Sequence, residues 1–132
     1  MLPDQMKELS HLRLENSKAV LLTSEKLVEI EDYKSAANRA YYAVFSAMRA
    51  ALATIEVDQR KHSGIISAFR QNFIKNNVLD ISLSDIITEL FHIRTEADYN
   101  DFFVVSKAEV VKQVENAKVF VAAVENYLSE IW

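Results

Sequence analysis

Glycine and proline are nearly absent from this chain of 132 residues, where each occurs once. Ordinary proteins use them at about 7% and 5%. Tight turns between adjacent β-strands depend on these residues, because glycine adopts positive φ angles and proline presets a turn. The composition therefore argues against a sheet joined by hairpins and predicts an all-α fold.

Cysteine is also absent, which excludes disulfides and thiolate metal sites. The apolar runs are too short to cross a bilayer, and the first fifteen residues carry charges without the apolar core of a signal peptide. We therefore expect a cytoplasmic protein with no membrane contact. The length suits one domain over residues 1–132. The net charge of −4 limits nucleic-acid binding to a local basic patch.

Helical periodicity and capping signals divide the chain into five segments. Asp32 is a candidate N-cap for the second segment and Ser82 or Ser84 for the fourth, while Ser106 and Glu109 form a capping box before the fifth. The predicted helices cover residues 4–30, 33–54, 63–76, 83–98 and 106–130, with boundaries good to about four residues. Together they predict an up-and-down bundle of four to five helices.

The first predicted helix has a less regular apolar face than the others. Its face is assigned to Leu9, Leu12, Ala19, Val20, Leu27 and Ile30. Residues 24 and 25 are a candidate break in this helix.

The second predicted helix is apolar on most of its circumference, and its recurrent alanines let a neighbouring backbone come close. It is therefore expected to be the central helix. A second stripe holds Arg39, Tyr42, Ser46 and Arg49 within about 80° of one another. Two arginines and a tyrosine in one stripe could bind an anionic ligand. The alternative is a solvated edge with snorkelling side chains.

Arg94 lies on the apolar seam of the fourth predicted helix, where an arginine is costly unless paired. Asp98, four residues later, can form a local ion pair with it. The alternatives are a structural pair and an underpaired arginine that serves a ligand. We favour the ligand, and expect Arg39, Tyr42 and His62 to approach Arg94. The apolar loop at residues 102–105 is expected to pack on the core or on a partner.

Arg60, Lys61 and His62 stand where the third helix begins. Helix N-termini attract anions, so these side chains could contact phosphate, and a solvated loop is the alternative. The histidines at positions 11, 62 and 92 lack metal-ligand spacing. We predict no metal and no cofactor.

Three motifs carry a resemblance to a known family. NRAYYA at residues 38–43, KHSG at 61–64 and RTEADY at 94–99 lie between a long first helix and a capped last one. This order resembles the HEPN domain family in its small stand-alone branch, over about residues 12–128. The resemblance implies a homodimeric helical bundle that often pairs with a minimal nucleotidyltransferase as a toxin–antitoxin module. It also implies that many relatives are metal-independent ribonucleases, which use an arginine followed within four to six residues by a histidine.

This sequence departs from that ribonuclease motif. Arg94 matches the arginine, but no histidine follows it within six residues. Asp98 would be ionised at neutral pH and repels phosphate, so it replaces histidine poorly. His62 is the candidate replacement, and Tyr99 is a second candidate for proton transfer. If the chain is an enzyme, we therefore predict Arg94 and His62 as its catalytic residues.

The favoured function is a nucleotide- or RNA-binding partner module of a nucleotidyltransferase system, without strong catalysis. Its predicted ligand-binding residues are Arg39, Tyr42, Asp98 and Tyr99, with Tyr99 offering an exposed hydroxyl at the rim for hydrogen bonding or for modification by the partner. One alternative is a divergent metal-independent endoribonuclease toxin, and another is a purely structural dimerising bundle.

Overall fold

The protein is a bundle of five helices, described by a computed structural model over residues 2–132. The helices are α1 (Asp4–Glu29), α2 (Tyr33–Ala53), α3 (His62–Phe69, extended by a π-helical turn over Arg70–Ile74), α4 (Ser82–Tyr99) and α5 (Lys107–Ile131). No strand occurs in that part of the chain. The all-α prediction is confirmed, and every predicted helix boundary lies within four residues of the observed one.

Helix α2 is the centre of the bundle, as its composition predicts. It packs against each of the other four helices, and its alanines are almost fully shielded from solvent. The largest buried side chains around it include Tyr41, Phe69 and Phe120. A helix covered on this many sides holds the polar side chains of its remaining face in fixed positions.

Serine hydroxyls join α1 to α2. They donate to α2 carbonyl oxygens in three bonds seven residues apart: Ser10 to Ala50 at 2.8 Å, Ser17 to Ala43 at 2.6 Å and Ser24 to Ala36 at 2.7 Å. The pairing runs in opposite chain directions, so the two helices are antiparallel. Only a face of small side chains lets hydroxyls reach a neighbouring backbone, which confirms the predicted close approach.

The predicted face of α1 is wrong in part, and its predicted break is wrong. Val20 and Leu27 pack against the core as predicted. Leu12 and Ile30 are 62% and 72% exposed, whereas Leu14 and the three serines are buried. The helix runs without interruption through Ser24, whose hydroxyl bonds to α2. A search for apolar periodicity misplaces this face because its buried serines count as polar.

Two of the three predicted helix caps are confirmed. Asp32 accepts from the Ser35 amide at 3.3 Å, and Ser106 accepts from the Glu109 amide at 3.1 Å. The serine cap of α4 is wrong, because Asp80 accepts from the amide of the first helical residue, Ser82, at 3.0 Å.

The loop at residues 102–105 divides between core and solvent. Phe103 packs against the core and Val105 is buried, but Phe102 and Val104 are 95% and 85% exposed. Phe102 projects from a turn in which the Phe103 amide donates to the Asn100 carbonyl oxygen at 3.0 Å. The prediction of packing therefore holds for two of the four residues.

Within residues 2–132, none of the helices combines the length and apolar character that a bilayer crossing needs.

Candidate functional site

Helix α2 presents part of its polar face to the start of α3 and the last turns of α4. Arg39 and Tyr42 are neighbours on its surface because they are three residues apart. His62 is the first residue of α3, and Arg94 lies in the second half of α4. The packing of these two helices on α2 brings side chains that are distant in sequence to one place.

Arg94 connects α4 to α2. Its Nη2 donates to the Tyr42 hydroxyl at 2.9 Å, and its Nε lies 3.0 Å from Asp98 Oδ2. The Nε–H bond is not aligned with that oxygen and forms no hydrogen bond, so the contact with Asp98 is an ion pair only. The guanidinium carbon also lies 5.2 Å and 5.4 Å from the ring centres of Tyr41 and Tyr42. Arg94 is thus ion-paired, as its spacing from Asp98 allows, while its buried Nε–H donates to no acceptor among residues 2–132, as expected of an underpaired arginine.

A second arginine lies over the same tyrosine and is connected to Asp98 through a neighbouring amide. Arg39 donates to Asn38 Oδ1 from Nε at 3.1 Å and from Nη2 at 2.7 Å. The Asn38 amide nitrogen donates to Asp98 Oδ2 at 3.1 Å. The Arg39 guanidinium carbon lies 5.0 Å from the centre of the Tyr42 ring. Both guanidiniums are therefore held against one aromatic side chain.

His62 lies among aromatic rings next to Tyr42. Its ring centre is 4.2 Å from that of Phe45 and 5.6 Å from that of Tyr42. Its Nδ1 is 3.1 Å from the Tyr41 hydroxyl. This hydrogen bond occupies Nδ1 whichever partner donates, and only Nε2 is left to meet a ligand.

Burial and charge set the protonation of this pair. Burial, and then the positive charge of Arg94, lower the pKa of His62 below its ordinary value. The imidazole is therefore neutral at neutral pH. Burial raises the pKa of Tyr41 to about 12, although Arg94 opposes the shift, so its hydroxyl keeps the proton.

Tyr99 stands at the edge of these contacts. It is 75% exposed, and its ring centre lies 5.9 Å from the Arg94 guanidinium carbon. We call the connected set the Arg94 cluster: Asn38, Arg39, Tyr41, Tyr42, His62, Arg94, Asp98 and Tyr99.

The Arg94 cluster contains all six side chains that the sequence singled out for catalysis or ligand binding. Sequence reasoning missed Asn38 and treated Tyr41 only as core. The available signal was their place in the NRAYYA motif, where polar atoms flank the predicted arginine. Arg60 and Lys61 are exposed, and within residues 2–132 no side-chain hydrogen bond or ion pair joins them to the cluster.

The model of the HEPN domain matches residues 10–127. The chain belongs to the HEPN domain family. "Putative toxin MJ0142" of Methanocaldococcus jannaschii is 34% identical over 92% of this chain and 82% of its own length. "Putative toxin MJ0605" of the same organism is 30% identical over 99% of this chain and 97% of its own. A "UPF0332 protein" of Thermotoga maritima is 29% identical over 80% of each chain.

The family assignment confirms the resemblance drawn from the motifs. This HEPN chain lacks a histidine within six residues after Arg94, and it carries Asp98 and Tyr99 there instead. A histidine nevertheless enters the cluster, from α3 rather than from α4. The chemistry available is therefore two guanidiniums, one neutral imidazole and a stack of aromatic rings, with one carboxylate among them.

Proposed function

We propose that this HEPN protein is a toxin-type partner module that binds the phosphate of RNA or of a nucleotide at the Arg94 cluster, with little catalysis of its own. The observation that carries the proposal is the pair of arginines, Arg39 and Arg94, held 5.0 Å and 5.4 Å from the ring of Tyr42. The names of the two Methanocaldococcus relatives support a toxin–antitoxin role.

Two positioned guanidiniums suit phosphate for a chemical reason. Each is planar and offers up to five N–H donors, and a phosphate oxygen pair can accept two of them at once. Arg94 uses one donor on Tyr42, so donors remain for a ligand. The neighbouring rings of Tyr42 and Phe45 give nucleobases a surface for stacking.

The same geometry limits catalysis. Asp98 lies 3.0 Å from Arg94 Nε, so its negative charge competes with phosphate for the guanidinium. His62 is neutral at neutral pH, so it can accept a proton, but too little of its protonated form is present to donate one efficiently to a leaving group. A phosphate that enters must therefore displace or rearrange the Asp98 ion pair.

A divergent ribonuclease is the second candidate, and His62 favours it. The imidazole lies 5.6 Å from the Tyr42 ring, whose hydroxyl bonds to Arg94. Its Nε2 could take the proton of a ribose 2′-hydroxyl while the arginines hold the phosphate. This route uses no metal and would leave RNA cut in the presence of EDTA.

Partner contacts are proposed at the rim of the cluster. Tyr99 offers a 75% exposed ring, and a minimal nucleotidyltransferase partner could bind or modify its hydroxyl. The exposed side chains of Phe102 and Val104 lie shortly after it in the chain and form the proposed homodimer contact.

The test is binding of a labelled six-nucleotide single-stranded RNA, followed by fluorescence anisotropy. Arg94→Met and Arg39→Met should each weaken binding by about tenfold, which is 1.4 kcal/mol. Arg70→Met is the matched control: it removes an arginine that bonds to Ser84 and Thr88 outside the cluster, and should change affinity less than twofold. Equal effects in all three variants would reduce the binding to net charge and contradict the proposal.

Cleavage of the same RNA separates the two candidates. The binding module should leave the RNA intact in EDTA, whereas cleavage that is lost in His62→Gln and in Arg94→Met would establish the ribonuclease. A protein that neither binds nor cuts RNA or nucleotides would be a structural bundle.

A further inference from the structure

A second pair of arginines, Arg13 of α1 and Arg49 of α2, lies near the other end of α2. Arg49 follows Arg39 by ten residues, which places it about 15 Å away along the helix axis. Between the two runs a groove of about 280 Å³ at the α1–α2 junction, lined by Asn16, Arg39, Tyr42, Phe45, Ser46 and Arg49. The stripe recognised in the sequence is thus the wall of a groove, with a guanidinium at each end.

Arg13 of α1 does not line the groove but lies beside Arg49 at its far end, with a side chain that is 14% exposed. Its Nη1 donates to the Arg49 backbone oxygen at 3.2 Å, and both guanidiniums face the carboxylate of Asp58, which brings the two like charges close together. Burial, and then the charge of Arg49, lower the pKa of Arg13, while Asp58 raises it. Two guanidiniums this close repel each other unless an anion lies between them.

Asp58 supplies that anion only loosely. Its Oδ2 is 3.7 Å from Arg13 Nη2 and its Oδ1 is 3.9 Å from Arg49 Nη2, distances too long for hydrogen bonds. Its side chain is 62% exposed, and it comes from the loop between α2 and α3. Two carboxylate oxygens facing two guanidiniums occupy the positions that two phosphate oxygens would take.

The spacing of the two ends selects the kind of ligand. A stacked strand advances about 3.4 Å per nucleotide, so about 15 Å corresponds to four or five nucleotides, and to fewer in an extended strand. The rings of Tyr42 and Phe45 lie between the two arginine pairs, where bases can stack. A mononucleotide is too short to reach both ends.

We infer that Arg13 and Arg49 form a second phosphate-binding point, which Asp58 occupies in the free protein, so that the ligand is a single-stranded RNA segment lying along α2. The inference rests on the proposed function, because the first phosphate is held by the Arg94 cluster. Asp58 then acts as an internal competitor that the RNA backbone displaces.

The experiment compares adenosine 5′-monophosphate with the labelled six-nucleotide RNA on the full chain. Arg49→Met should leave mononucleotide affinity unchanged and lower RNA affinity by about tenfold. For Arg49→Met, the slope of log RNA affinity against log salt concentration should be smaller in magnitude by about 0.7, which corresponds to the loss of one phosphate contact on a single strand. Asp58→Asn should act in the opposite direction and raise RNA affinity about threefold, because it removes the competing charge. Thermal melting of each variant verifies folding.

The outcomes separate this inference from the proposed function. If Arg94→Met weakens both ligands and Arg49→Met weakens neither, the second point is wrong and the proposed function stands. If Arg94→Met affects neither ligand, the proposed function is wrong, and this inference is wrong with it. RNA binding weakened as strongly by Arg70→Met as by Arg49→Met would also overturn the second point, because the effect would then be one of net charge.

Discussion

Replacing Arg94 with methionine tests whether this side chain also holds α4 against α2. Methionine keeps most of the apolar stem but removes the hydrogen bond to Tyr42 and the ion pair with Asp98. Asp98 is not left alone, because Asn38 still donates to its Oδ2 at 3.1 Å. The loss should therefore be smaller than that of a fully buried pair with no other partner.

The magnitude follows from these contacts. The Tyr42 hydrogen bond contributes about 1 kcal/mol. The side chains of Arg94 and Asp98 are 13% and 24% exposed, which places their ion pair between an exposed pair, worth about 0–1 kcal/mol, and a buried one, worth about 3–5. Taking about 1–2 kcal/mol for it gives a total of about 2–3 kcal/mol. At about 4 °C per kcal/mol for a chain of this size, Tm should fall by about 8–12 °C.

The assay is thermal and urea unfolding of a double-mutant cycle. Arg94→Met and Asp98→Asn should show a coupling energy of about 1–2 kcal/mol, while Arg70→Met and Asp98→Asn should be additive because they share no contact. A Tm change below about 2 °C in Arg94→Met, or no coupling with Asp98→Asn, would refute the structural part of the reasoning. Arg94 would then serve only a ligand, as sequence reasoning favoured.

Three further predictions test other parts of the molecule. Folding lowers the pKa of His62 below 6.5, so the unfolded chain binds that proton more readily, and the free energy of unfolding should fall as pH drops from about 7 through the folded pKa. Urea titrations of His62→Gln between pH 7.5 and 5 should lack this part of the pH dependence. A variant whose stability changes with pH as steeply as that of the wild type would contradict the prediction. Phe102→Asp with Val104→Asp should convert a dimer to a monomer in light scattering without lowering Tm, since both side chains are exposed; a monomeric wild type, or a dimer that survives, would contradict the proposed contact. Ser17→Ala should lower the free energy of unfolding by about 1–2 kcal/mol, because the buried Ala43 carbonyl loses the hydroxyl that donates to it at 2.6 Å. An unchanged urea midpoint would show that this hydrogen bond contributes nothing to stability.

The predictions that succeeded depend on neighbours in sequence. The scarcity of glycine and proline indicates helices, and side-chain caps at Asp32 and Ser106 mark where helices begin. The ion pair between Arg94 and Asp98 was foreseeable because residues four apart on a helix are always adjacent. Each of these interactions involves residues only a few positions apart, so it can be predicted from the sequence.

The apolar face of α1 could not be found in the same way. Its buried serines are favourable only because α2 brings carbonyl acceptors within 2.6 to 2.8 Å. Without that partner a serine on a helix counts as solvent-facing, since an unpaired buried hydroxyl is costly. The packing of the second helix therefore decides which side of the first is inside.

The sequence by itself determined the helical class, the helix boundaries, the family motifs and which residues are candidates for phosphate binding. Only the tertiary structure decided that those residues meet. His62 and Tyr41 are 21 residues apart, and Tyr42 and Arg94 are 52 apart, yet hydrogen bonds of 3.1 Å and 2.9 Å join the pairs. The docking of α3 and α4 on α2 sets these distances through buried side chains of three helices, and no local pattern of the chain contains that information.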